Sequence, residues 1–165
     1  MAALHAPPGE DPPQQPSMWH TRHLTAYQLW KTHERKTELR KKYLDYWQSS
    51  TDRTKTGRPI DCLISPVAPF AAPPHAKNNN CNYTMLFNAL DYPAIAFPVT
   101  SVEDTDQRTS RSQFFSEEDR LNHEMYDPVT FKDAPVGLQL VGRTMEEEAL
   151  LGMMQIVDKI ICESP

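Results

Sequence analysis

Cys81 and His75 are the residues of this 165-residue chain that come nearest to a nucleophile with its base. Cys81 follows Asn78-Asn79-Asn80 in a polar loop, where a thiol is accessible. Cys62 is the second candidate, but it lies inside the apolar run Ile60–Ser65, where thiols are inert. A Cys/His hydrolase also needs donors for an oxyanion, and no loop suited to that is visible. His20, His23 and His33 invite a metal reading, yet no acidic residue stands at a fitting spacing, so exposed histidines explain them better. Ser49-Ser50 reads as a helix end, and Glu117-Glu118-Asp119 as the solvated start of a helix capped by Ser116.

Charge and cysteine usage narrow the classes. A formal net charge of -5 leaves no electrostatic footprint for nucleic acid or an anionic membrane. The basic run from Arg35 to Lys42 is broken by Glu38 and preceded by Glu34, which suits a solvated helix face. Cys62, Cys81 and Cys162 form no Cys-x-x-Cys pair, which argues against a disulfide framework and a zinc site. No charged start followed by an apolar stretch marks a signal peptide, and no apolar run approaches a membrane span. The expectation is a soluble, cytoplasmic protein with no nucleic-acid or membrane partner. Asn82-Tyr83-Thr84 matches a glycosylation acceptor, a match without content unless the chain is secreted.

The elements that would position these residues are read from periodicity. Pro7, Pro8, Pro12, Pro13 and Pro16 make residues 1–18 a disordered proline-rich segment, with one domain over 19–165. Leu24 to about Gln48 reads as a helix, with Leu24, Tyr27 and Trp30 stacked at its front and Leu39, Tyr43 and Trp47 at its back. Ile60–Ser65 reads as a strand, Pro66–Asn82 as a loop, and Tyr83–Leu90 as a short helix with Met85, Leu86, Leu90 and Phe87 inward. Ala94–Val99 is a strand placed at a sheet edge by Pro98. Ser101–Asp133 is a surface excursion pinned by Phe114, Phe115, Met125, Tyr126 and Phe131. Val136, Leu138 and Leu140 alternate as one face of a strand, with Gln139 on the other. Thr144 and Glu147 have capping-box spacing for a final helix, Met145 to about Ile161, whose Leu150, Met153, Met154, Val157, Ile160 and Ile161 recur at helical spacing. The class is α/β, and three strands make a sheet too narrow for a finished domain.

The segment Pro135-Val136-Gly137-Leu138-Gln139-Leu140-Val141-Gly142 resembles the C-terminal end of the amidase signature hydrolases. Three further blocks resemble the fungal acetamidase-like branch of that family, in the same order. They are Leu24–Trp30; Asp61–Pro69 with Ala72-Pro73-Pro74-His75; and Tyr83-Thr84 through Asn88–Ala94, with Tyr126-Asp127-Pro128 as an additional match. The resemblance implies the C-terminal part of the amidase signature fold, a mixed sheet covered by helices, present here as a truncated fragment. It implies an activity, hydrolysis of a carboxylic amide to carboxylate and ammonia, with no metal or cofactor.

The family's Ser-Ser-Lys triad and its Gly-Gly-Ser-Ser-Gly-Gly loop have no counterpart in these residues. The five glycines, Gly9, Gly57, Gly137, Gly142 and Gly152, are scattered, and Ser49-Ser50 stands at a helix end. No catalytic residue is therefore assigned. The resemblance places His75, Asn82, Tyr83 and Thr84 along the acyl side of the substrate pocket; as residues alone, they serve equally well as turn, cap and packing groups. A small amide would be a partner only with the rest of the domain supplied, and an exposed sheet edge favours self-association. The competing reading is a non-catalytic binding module that docks on another protein through that edge and the last helix.

Overall fold

The computed structural model describes residues 24–78 and 80–163. The expectation for residues 1–18, together with His20 and His23, lies outside them. The chain folds as α1 (Ala26–Ser49), a 3-10 turn (Ser50–Arg53), β1 (Leu63–Pro66), α2 (Asn82–Leu90), β2 (Ala94–Ser101), α3 (Glu117–Met125), β3 (Pro135–Val141) and α4 (Glu147–Glu163). The α/β expectation holds. Of the mixed sheet implied by the resemblance, the strands described here supply antiparallel pairings, in the order β1-β3-β2.

Side-chain alternation divides the sheet into two faces. Val141 and Gln139 share one face with Ala94 and Ala96 of β2, their register partners. Helices α1 and α2 cover part of it, burying Phe87, Leu90 and Val141 against Leu39, Tyr43 and Leu63. Leu138 and Leu140 share the opposite face with Ile95 and Phe97. There α4 lays down Leu150, Met153, Met154, Val157 and Ile161. A third cluster, Ala71, Val102 and Phe131 with Met125 and Tyr126 against it, lies under the excursion.

Local chemistry explains where the elements begin and end. Thr25 caps α1 in a reciprocal capping box with Gln28. Trp47, near the other end of α1, donates its indole N–H to the Ile60 carbonyl at 2.7 Å and packs edge-on to Tyr92 at 5.6 Å. Asp91 ends α2 in the left-handed region, with φ of 57°. Its carboxylate meets Lys36 at 2.7 Å and Arg40 at 3.1 Å, tying α2 to α1. Ser116 caps α3 by accepting from the Asp119 amide, as the acidic cluster suggested. Asp127 folds the Tyr126-Asp127-Pro128 segment by accepting from the Thr130 amide and hydroxyl.

Several expectations need correction. The first strand starts at Leu63 and includes Pro66, three residues later than the apolar run suggests. Leu24, Tyr27 and Trp30 are exposed, because nothing among the described residues lies against that end of α1. Met85 faces solvent while Phe87 takes the inward position, and Phe115 is 96% exposed and pins nothing. Ile160 is exposed too. Thr144 does not cap α4: its hydroxyl donates to the Asp91 carbonyl at 3.0 Å, and the helix starts at Glu147. Pro98 does mark an edge strand, with a register shift between Pro98 and Thr100.

Candidate functional site

The loop after β1 crosses the Gln139 face of the sheet where α2 does not reach. Ala96 of β2 and Gly137 of β3 carry little or no side chain there, and a cavity of about 370 Å³ remains under the loop, with Pro98 at its wall. Val67, Ala68, Phe70, Ala72 and Pro73 form its roof, and Asn78 supplies the polar side chain. The volume falls within the roughly 300–1,000 Å³ usual for small-molecule sites. A Cβ on Gly137 would meet the Val67 side chain at 3.4 Å, so even an alanine there would press on the loop.

Gln139 holds this corner together. It is 2% exposed, and its Nε2 donates to the Pro66 carbonyl at 2.8 Å and to the Tyr83 carbonyl at 3.1 Å. One side chain of β3 thereby fixes both the start of the loop and the first turn of α2. Buried amides are retained when their hydrogen bonds are made, and this one makes two. Asn78 and Asn80 continue the approach to α2: the Asn78 side chain accepts from the Asn80 amide, and that of Asn80 from the Asn82 amide.

The four residues singled out from sequence stand around this corner without entering the cavity lining. His75 is exposed on a turn closed by the Lys77 amide and the Pro74 carbonyl, with Ala76 at φ of 62°. Asn82 is exposed at the start of α2, and Tyr83 offers its carbonyl to Gln139. Thr84 is half-buried, and its hydroxyl donates to the Cys81 carbonyl at 3.2 Å. The residues that line the cavity, Phe70, Ala96, Phe97 and Gly137 among them, escaped the sequence reading. A glutamine within the otherwise apolar β3 was the signal available for Gln139.

The chemical capacity of the corner is for binding. Its lining has no thiol, imidazole, carboxylate or amine. Burial, and then the adjacent Asp61, push the Cys62 thiol up, which keeps it protonated and unreactive. Among the described residues, no group of three histidines, cysteines or carboxylates is arranged to hold a metal, and no helix is long and apolar enough to cross a membrane. Larger hollows of about 450 and 520 Å³ flank α1. They are lined largely by charged side chains, of which Arg40, Lys41 and Arg143 are already paired with Asp91, Asp45 and Glu146.

Comparison with known proteins follows the same outline. The amidase family profile matches residues 10–151. An amidase of Gibberella zeae is 36% identical over 128 residues, covering 74% of this chain and 23% of that protein. The acetamidase of Emericella nidulans is 33% identical over 135 residues, covering 81% of this chain and 24% of its own. Among solved structures, a fatty acid amide hydrolase superposes with a TM-score of 0.74 at 27% identity, over 85% of this chain and 24% of that one. The chain thus spans about a quarter of the length of the relatives it matches, and corresponds to their C-terminal portion.

Proposed function

We propose, because this chain belongs to the amidase signature family, that it forms the acyl-side wall of an amide-hydrolase pocket and supplies no bond-breaking group itself. The observation that carries this reading is the cavity beside Gln139: apolar, of small-ligand size, and floored by residues too small to fill it. Such a surface removes an apolar acyl group from water, at roughly 25 cal/mol per Å² buried. The attack on the carbonyl then falls to residues outside these 165, as in the serine-based chemistry of the family. His75, Asn82, Tyr83 and Thr84 belong to the rim of this wall, where Asn82 and Tyr83 are open to an incoming ligand. The partner of the wall is a small carboxylic amide, met once the remainder of the domain is in place.

The test has two arms. Purified chain, incubated with acetamide or benzamide, is expected to release no ammonia above a buffer blank. Benzamide is expected to shift the NMR resonances of Phe70 and Ala96, and an Ala96→Trp variant to lose that response. Turnover that vanishes in Cys81→Ala would sink the reading in favour of a cysteine hydrolase, and unchanged binding by Ala96→Trp would remove the cavity from it.

A further inference from the structure

The hollow of about 450 Å³ beside α1 lies where three parts of the chain meet. Arg40 and Lys41 come from α1, Tyr92 from the turn between α2 and β2, and Arg143 and Glu146 from the link between β3 and α4. It shares no lining residue with the cavity under the β1 loop.

Tyr92 is the residue of this hollow that the fold leaves unexplained. Its ring packs edge-on to Trp47, but its hydroxyl is shut off from solvent and has no hydrogen-bond partner among the described residues. Buried phenols are normally paired, since burial costs them their hydrogen bonds to water. Burial pushes the Tyr92 phenol above its usual pKa, against the opposing pull of Arg40 and Arg143, so at neutral pH it is a donor in want of an acceptor.

The two arginines that act on this phenol have donors to spare. Arg40 meets Asp91 through one nitrogen at 3.1 Å, and Arg143 meets Glu146 through two, at 2.7 and 3.0 Å. A guanidinium carries five N–H donors in a planar fork that suits a carboxylate. The charges around the hollow do not cancel either. Lys36, Arg40, Lys41 and Arg143 stand against Asp45, Asp91 and Glu146, which leaves one positive charge over. A singly charged oxyanion balances that excess, whereas a phosphate dianion overshoots it. Leu44, also in the lining, gives a carbon skeleton an apolar edge to rest on.

We propose that this hollow binds the carboxylate of a small organic acid between the Arg40 and Arg143 guanidiniums, with the Tyr92 hydroxyl donating to it. The Arg40 and Arg143 side chains are 42% and 33% exposed, so their ends can turn onto an incoming anion and open the way to that hydroxyl. Carboxylic acids are also what amide hydrolysis releases, but the site follows from its own charges and does not depend on the amide-hydrolase reading.

The experiment titrates the full chain with sodium benzoate at constant ionic strength, sodium chloride making up the balance, and follows it by NMR. Benzoate is expected to shift the Tyr92 ring and Arg143 Nε–H resonances saturably, and its uncharged counterpart benzamide to leave them unmoved. Tyr92→Phe, which removes only a partnerless hydroxyl, is expected to keep the thermal transition and to weaken benzoate binding about tenfold, the share of one hydrogen bond to a charged acceptor. Arg143→Lys, which keeps the charge and loses the fork, is expected to weaken it as well. Equal binding of benzoate by Tyr92→Phe, or the same shifts from chloride or from benzamide, would overturn the proposal. Tighter binding of inorganic phosphate than of benzoate would give the hollow to a phosphoryl group and overturn it too. A chain that answers benzamide at Phe70 but benzoate nowhere loses this site and keeps the amide-hydrolase reading.

Discussion

Ile64 and Leu140 stand directly opposite each other across the β1–β3 ladder, on the same face of the sheet, yet Leu140 is wholly buried and Ile64 is 60% exposed. Cross-strand neighbours usually share an environment. The contrast arises because the roof over this face ends between the two strands: α4 reaches Leu140 and stops short of Ile64.

That boundary sets a first expectation for stability. Leu140→Ala removes a side chain packed among Phe97 and Leu150 and should cost about 2–5 kcal/mol. Ile64→Ala, with most of its surface already in water, should cost under about 1 kcal/mol in the isolated chain. Urea denaturation of both variants measures the difference. Equal losses would mean that Ile64 is covered in solution by something the chain itself provides.

Gln139 gives a second. Gln139→Leu leaves the Pro66 and Tyr83 carbonyls without their shared donor and should cost roughly 1–3 kcal/mol. Gln139→Glu should be worse at neutral pH than in acid. A carboxylate facing two carbonyl oxygens gains stability only when protonated, so its folded pKa rises and the variant weakens as the pH climbs through that value. Hydrogen exchange at the first turn of α2 should quicken in both. Unchanged exchange there would separate Gln139 from the placement of α2.

How far the sequence reveals this arrangement depends on the kind of signal. Strong periodicity is read well: the ridge of Leu150, Met154, Val157 and Ile161 and the alternation of Leu138 and Leu140 both land where the structure has them. Apolar spacing without a partner is read badly. Leu24, Tyr27 and Trp30 have helical spacing, but spacing says nothing of whether a surface waits opposite. The amidase resemblance implies pocket residues at His75, Asn82, Tyr83 and Thr84, and the cavity after β1 is lined by others. That cavity is made by side chains that are missing, at Ala96, Gly137 and Ala68, and a pattern of apolar residues does not register what small ones leave empty.

Asp91 carries a pH-dependent prediction. Its hydrogen bond from Lys36, with Arg40 adding to the field, holds its carboxyl below the usual carboxylate range. A folded pKa below the unfolded one means that the stabilisation is complete above the unfolded value, about 3.9, and fades as the pH falls through the folded one. Asp91→Asn keeps a residue that tolerates the left-handed φ of 57° while removing the charge. It should melt below wild type at pH 7, and the gap should close at pH 2. Both contacts are partly exposed, so added salt should narrow the gap as well. A gap that persists in acid would assign the effect to backbone geometry.

The entry to α4 offers the last. Thr144 and Glu147 have the spacing of a capping box, yet the Thr144 hydroxyl bonds to Asp91, 53 residues back, and Met145 turns the chain with φ of 66° before the helix begins. The residue is thus a link between the α2–β2 turn and the end of β3, and removing it should act on that junction. Thr144→Ala should cost about 1 kcal/mol through the lost hydrogen bond, with α4 keeping its helicity. Met145 is exposed and pays the steric cost of the left-handed region, about 1–2 kcal/mol for a residue with a Cβ. Met145→Gly removes that cost but adds freedom to the unfolded chain, worth about 0.4–1 kcal/mol. The balance should leave the variant level with wild type or up to about 1.6 kcal/mol more stable. Far-UV circular dichroism and denaturation of the two variants together decide the point: if Thr144→Ala loses helix content, the capping box operates in solution after all, and the long-range bond to Asp91 is secondary.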